Sequence, residues 1–189
     1  MMNSTQVIDR LRAGNDRFVN DKLDGKLQNS DRRKGLTDGQ EPYAIILSCA
    51  DSRVVPELAF DAGLGELFVV RVAGNVANSS SIASIEYAVA HIGTPVIVVL
   101  GHEACGAVTA AVKGGDNGYN LNHLLSHVSP ALHAAGDTSD VNTVVKKNAE
   151  MTAEELRKRS AIISDAAEQG KVQILPAYYN LGSGKVDWL

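Results

Sequence analysis

Four short apolar runs, Tyr43 to Ser48, Glu66 to Val72, Pro95 to Gly101 and Val172 to Ala177, constrain this chain more than any other feature. They are rich in β-branched residues and do not alternate apolar with polar. Alternation marks a strand with one wet face, so its absence points to strands covered on both faces, as in a parallel sheet. Helical periods separate the runs. Ser79 to Ile92 places Ile82, Ile85, Tyr87, Ala88 and Val89 on or near a buried side, and Cys105 to Lys113 is a helix of small residues. Asn120 to His133 and Asp140 to Gln169 read as longer helices, the last with Asp140 as N-cap and Gly170 as its stop. Strand alternating with helix predicts an α/β fold: a central, mostly parallel β-sheet of about four to five strands flanked by helices, with right-handed crossovers.

The remaining segments are simpler. Residues 4 to 19 carry Val7, Ile8, Leu11, Phe18 and Val19 in a helical period with one apolar stripe, and residues 20 to 41 form a polar connector with at most a short helix. Residues 114–119 and 136–139 read as turns, and no internal repeat is present. A length of 189 residues suits one well-cored domain, 1–189, with 1–40 as an N-terminal helical arm.

Charge and hydropathy exclude several classes of function. The formal net charge of −4, with no basic block, argues against a nucleic-acid partner. No apolar run approaches the roughly 20 residues that span a bilayer, and the first residues lack the apolar stretch of a secretory signal, so a cytoplasmic protein without a membrane partner is expected. In a reducing compartment the two cysteines are free thiols or metal ligands rather than a disulfide.

Both cysteines follow strands. Cys49 begins "CADSR" directly after the first run, and Cys105 lies three residues after His102 in "GHEACGAV" at the end of the third. Taken alone, either cysteine reads equally well as core packing. In parallel sheets, however, the carboxyl ends of the strands converge on the ligand crevice, which would bring Cys49, His102 and Cys105 to one point. Two thiolates and an imidazole suit zinc, and three protein ligands leave the fourth tetrahedral position open, as catalytic sites do.

With "GELFVVR" and "SIEYAV", these motifs make the chain resemble the β-class carbonic anhydrases from about Pro42 to Gly106, and more loosely through the C-terminal helix and last strand. The resemblance implies reversible hydration of CO2 to bicarbonate, one Zn2+ per subunit on Cys49, His102 and Cys105, and a catalytic dyad of Asp51 and Arg53. It is similar to the plant-like branch in placing Gln40 as a substrate hydrogen-bonder, Phe68 and Tyr87 as walls of the CO2 pocket, and the Gly106 amide as an anion donor. On residue grounds alone Phe68 and Tyr87 read as core. In that branch the cleft is shared, so Gln40 and Tyr87 would serve a partner's zinc. The chain would then assemble as a homodimer or tetramer, with the N-terminal arm packing on a partner subunit because no groove for it is evident within the chain. Ile46 stands where the bicarbonate-inhibited branch has tryptophan, so the regulatory pocket to which Arg71 and Tyr179 would belong is not expected. Rival readings are a CS2 or COS hydrolase using the same cluster, and a non-catalytic zinc-binding module.

The histidines add little. His123 and His127 stand four apart on a helix, with His133 following; they read as solvated side chains, one of them a candidate proton shuttle, rather than as a second metal site. His91 fits the C-terminal end of a helix dipole.

Overall fold

A computed structural model describes residues 2–136 and 138–189; Met1 of the arm and Asp137 of the turn at 136–139 lie outside the described residues. In chain order the elements are α1 (Ser4–Val19), α2 (Ser30–Lys34), β1 (Ala44–Ser48), α3 (Pro56–Ala59), β2 (Leu67–Arg71), α4 (Ser79–Tyr87), β3 (Val96–His102), α5 (Gly106–Lys113), α6 (Tyr119–Ser126), α7 (Ser129–Ala134), α8 (Val141–Arg159), α9 (Ala161–Glu168), β4 (Gln173–Tyr179) and β5 (Val186–Trp188). A single turn, Ala73–Asn75, leads from β2 toward α4, and a wide turn, Ala88–Ile92, extends α4. No helix among the described residues is long and apolar enough to cross a membrane.

The strands form one sheet in the order β2-β1-β3-β4-β5, parallel except for β5, which runs antiparallel to β4. Successive side chains of a strand point to opposite faces. Ala44 and Ile46 of β1 join Val96, Val98 and Leu100 of β3 in one core layer, while Ile45 and Leu47 join Ile97 and Val99 in the other. Every residue of β1 and β3 is therefore buried, which is why these runs show no alternation. From β1 the chain moves to one side to form β2, then returns to the other side to form β3. The strand order thus reverses between β1 and β3, and at such a switch point a crevice opens above the carboxyl ends. Ser48 pairs with Leu100, so Cys49 and the end of β3 emerge side by side.

Helix α1 corrects an expectation. Val7 and Leu11 are fully buried in this chain's own core with Tyr43, Phe60 and Val186, so the apolar stripe does have a groove within the chain. Burying two such side chains contributes about 1.5–3 kcal/mol each. Asn15 fixes the docking: its amide donates to the carbonyls of Ala59 and Gly184 at 2.9 Å each, and its oxygen accepts from Val186 N at 2.8 Å.

Two of the expected helices are each divided in two, and one expected burial also differs. The segment 120–133 splits into α6 and α7 because Pro130 lacks the N–H that a continuous helix needs. The segment 140–169 splits at Ser160, whose backbone is extended and whose hydroxyl caps α9 through Ile163 N at 3.1 Å. Asp140 caps α8 as expected. Tyr87, placed on the buried side of its helix, is 51% exposed, because it lies about 200° around the helix from the fully buried Ile85.

Candidate metal centre

Two backbone segments deliver the ligands, each held by specific contacts. Cys49 follows β1 directly, and the next turn is closed by Asp51, whose Oδ1 accepts from the Arg53 backbone N–H at 2.9 Å. Such a turn is a standard use of aspartate, which leaves the carboxylate fixed rather than swinging. The Arg53 guanidinium then takes both oxygens, Nε to Oδ1 at 2.9 Å and Nη2 to Oδ2 at 2.7 Å. These charge-assisted bonds hold the Asp51 carboxyl well below the usual carboxylate range, against the opposing effect of burial. From the end of β2, Arg71 donates to the Cys49 carbonyl at 3.0 Å and to the Asp51 carbonyl at 2.7 Å, pinning the loop at two points.

The second ligand-bearing segment closes β3. His102 is completely buried, and its Nδ1 donates to the Glu103 carbonyl at 2.8 Å. That bond selects the tautomer with a lone pair on Nε2. Nε2 is buried and has no hydrogen-bond partner, although its surroundings hold two sulfurs and, at 3.8 Å, the Asp51 Oδ2. Glu103 anchors the loop by accepting from Leu181 N at 2.9 Å, and Asn142 of α8 accepts from Ala104 N at 3.0 Å. Ala104 has φ +50, a conformation costly for a residue with a side chain and held here by that asparagine. Cys105 then serves as the N-cap residue of α5.

The donor atoms of Cys49, His102 and Cys105 lie within 4.8 Å of one another, the only such group able to hold a metal among the described residues. The two sulfurs are 3.9 Å apart and unbonded, well beyond the roughly 2.05 Å of a disulfide. The hydrogen bond shared by the two thiols lowers the pKa of Cys49 and raises that of Cys105. A buried imidazole nitrogen without a partner, facing a thiol pair of which one member readily ionises, fits a divalent zinc-type ion. Two soft sulfurs and one nitrogen supply three of four tetrahedral positions.

The carbonic anhydrase family profile matches residues 44–186, from the start of β1 into β5. The solved β-carbonic anhydrase CcaA superposes with a TM-score of 0.77 at 25% identity, over 97% of this chain and 92% of that one. This chain belongs to the β-class carbonic anhydrases. Among its relatives, Carbonic anhydrase 2 of Mycobacterium tuberculosis is 40% identical over 93% of this chain and 87% of its own length. The Carbonic anhydrase of Mycolicibacterium smegmatis is 37% identical over 94% and 89%. One of two tetrameric β-carbonic anhydrases from Sordaria macrospora shares the fold, with a TM-score of 0.78 at 23% identity over 97% of both chains.

In this β-carbonic anhydrase not every residue singled out from the sequence stands at the metal centre. Gln40 is exposed on the connector that enters β1, at the end of the sheet opposite Cys49. Phe68, opposite Ile45 in register, packs against the core layer of Ile45 and Leu47. Tyr87 lies over Phe68, ring centroids 6.4 Å apart, and beside His91 at 5.3 Å, facing outward. Gly106 opens α5 immediately after Cys105, and nothing lies within 4 Å of where a side chain would begin. His123 and His127 meet edge to face on α6, centroids 5.5 Å apart. Arg71, Asn142 and Gly74, whose N–H donates to Cys49 Sγ at 3.3 Å, are site residues that sequence reasoning missed in these roles. They act on backbone or through backbone, and no spacing rule reports that.

Proposed function

We propose that this carbonic anhydrase interconverts CO2 and bicarbonate at one zinc per subunit held by Cys49, His102 and Cys105, in a cytoplasmic setting that suits its free thiols. The observation that carries the reading is the buried, unpartnered His102 Nε2 grouped with two sulfurs, with a clamped Asp51 carboxylate 3.8 Å away. Zinc bound there supplies a Lewis acid that makes water acidic enough to attack near neutral pH, less so with two thiolates than with three imidazoles. Asp51 stays ionised, accepts a hydrogen bond from the attacking oxygen and turns its lone pair toward CO2. Arg53 keeps that carboxylate in place; released from the guanidinium, Asp51 lies close enough to become a ligand itself. The Gly106 amide, in the first turn of α5 where helix amides have no internal partner, orients the developing bicarbonate.

Gln40, Phe68 and Tyr87 complete the pocket of a neighbouring copy in this reading. Two features support it: the exposure of Tyr87, and a half-covered β2 at the sheet edge, able to meet a partner. The tetrameric Sordaria structures supply the precedent for such assembly.

The test is stopped-flow CO2 hydration against pH on metal-quantified parent and Arg53→Ala protein. Because the native Asp51 pKa is depressed, its ionised form is complete above the ordinary carboxylate range and is lost only in strong acid. Asp51 protonation therefore does not limit the parent near neutrality, and the parent rate is expected to go on rising above neutral pH. Arg53→Ala should cost about 10–100-fold, the usual effect of removing a group that orients a metal site. A parent profile already flat in weak acid, or an Arg53→Ala rate equal to the parent's, contradicts the reading.

A further inference from the structure

Helix α8 crosses behind the metal centre, and one of its side chains reaches a ligand through a single residue. Asn148 is 1% exposed, and its Nδ2 donates to the Gly74 carbonyl at 2.8 Å. The same Gly74 donates its N–H to Cys49 Sγ. The peptide unit between Gly74 and Asn75 is held at both ends, since Asn75 N also donates to the Val72 carbonyl at 2.9 Å. Gly74 has φ +72, and glycine has no side chain to restrict that torsion, so the direction of its N–H depends on contacts from outside. Asn148 is the side chain that provides one.

We infer that Asn148 is a positioning residue for the metal centre: by fixing Gly74 it aims the amide that draws charge off the Cys49 sulfur. The inference rests on Cys49 being a zinc ligand. A thiolate that accepts an N–H bond donates less charge to its metal, which leaves the metal the stronger Lewis acid. A purely structural asparagine, satisfying one buried carbonyl, would support folding but would not alter the electronic state of a metal–sulfur bond.

That difference gives the test. The parent, Asn148→Asp, Asn148→Ala and Thr152→Val proteins are loaded with cobalt in place of zinc, and the thiolate-to-cobalt charge-transfer absorption and the metal affinity by chelator competition are recorded. Asn148→Asp keeps the shape and removes the donor. Thr152, one turn further along α8, lines the same cavity as Asn148, so Thr152→Val is the packing control. Both Asn148 variants should move the charge-transfer band to longer wavelength and weaken metal binding about tenfold, within the range found for groups that support metal ligands. Thr152→Val should keep the parent spectrum. Folded Asn148 variants with the parent's band and affinity, and only a lower melting temperature, would overturn the inference. Should both variants fail to fold, the cadmium-loaded parent decides: scalar coupling between the metal and the Gly74 amide proton supports the aimed bond, and its absence refutes it. A parent that binds no stoichiometric metal refutes the zinc reading itself and this inference with it, whereas a metal-binding parent with unchanged variants refutes the role of Asn148 alone.

Discussion

Cys49→Ser protein is expected to purify with little zinc and to hydrate CO2 at least about a thousandfold more slowly than the parent, because water without the metal has a pKa of 15.7 rather than about 7. The substitution removes one of only two cysteines in the chain and the sulfur that accepts the Gly74 N–H, but little volume. Its circular dichroism should therefore resemble the parent's while metal content and rate collapse together. Stopped-flow rates beside zinc analysis of the same samples check this. A Cys49→Ser enzyme that keeps either stoichiometric zinc or the parent rate would remove Cys49 from the site.

The second large effect concerns the fold, and two physical terms disagree about its sign. Gly14 lies in the middle of α1, where helix propensity alone favours alanine by about 1 kcal/mol. A Cβ at this position, however, would sit 2.0 Å from the Phe60 carbonyl oxygen and 2.7 Å from its carbon. Those atoms are backbone, so no rotamer change relieves the overlap. The helix must lift, which also strains the three bonds of the adjacent Asn15 and the seats of Val7 and Leu11. Overpacking costs about 1–3 kcal/mol and more when backbone must move. Gly14→Ala is accordingly expected to destabilise by about 2 kcal/mol net and to lower the melting temperature by about 4–8 °C. A thermal melt that shows an increase would mean that propensity wins and that α1 does not sit as closely on Phe60 as described.

These two cases show what a sequence carries and what it withholds. The sheet was legible because β1 and β3 are buried on both faces, and continuous β-branched runs are the direct trace of that burial. The meeting of Cys49 with His102 and Cys105 was legible for a related reason: carboxyl ends of adjacent parallel strands converge, and both cysteines of the chain stand at such ends. Strand β5 is only three residues long and takes its identity from pairing with β4, so its own residues give no period to read. The break at Ser160 was missed because the apolar period resumes in α9 with little phase change. The groove for α1 depends on Phe60 and Val186, which come from distant parts of the chain, and no local pattern announces it. On residue grounds alone Tyr87 reads as core because the helical period puts it near the buried side, and its exposure emerges only once the face of α4 is fixed by Ile82 and Ile85. The clamps on the site, Arg71 on two carbonyls, Asn142 on Ala104 and Asn148 on Gly74, were illegible for a common reason: they recognise backbone, and backbone looks the same at every residue.

Zinc K-edge X-ray absorption on the purified, catalytically active protein tests the account most directly. Stoichiometric zinc with two sulfurs at about 2.3 Å, one imidazole nitrogen and one further light atom from solvent at about 2.0–2.1 Å is the expected coordination. Active protein with no bound metal, with Cys49 and Cys105 joined to each other, or with a fourth protein ligand closing the site would contradict it.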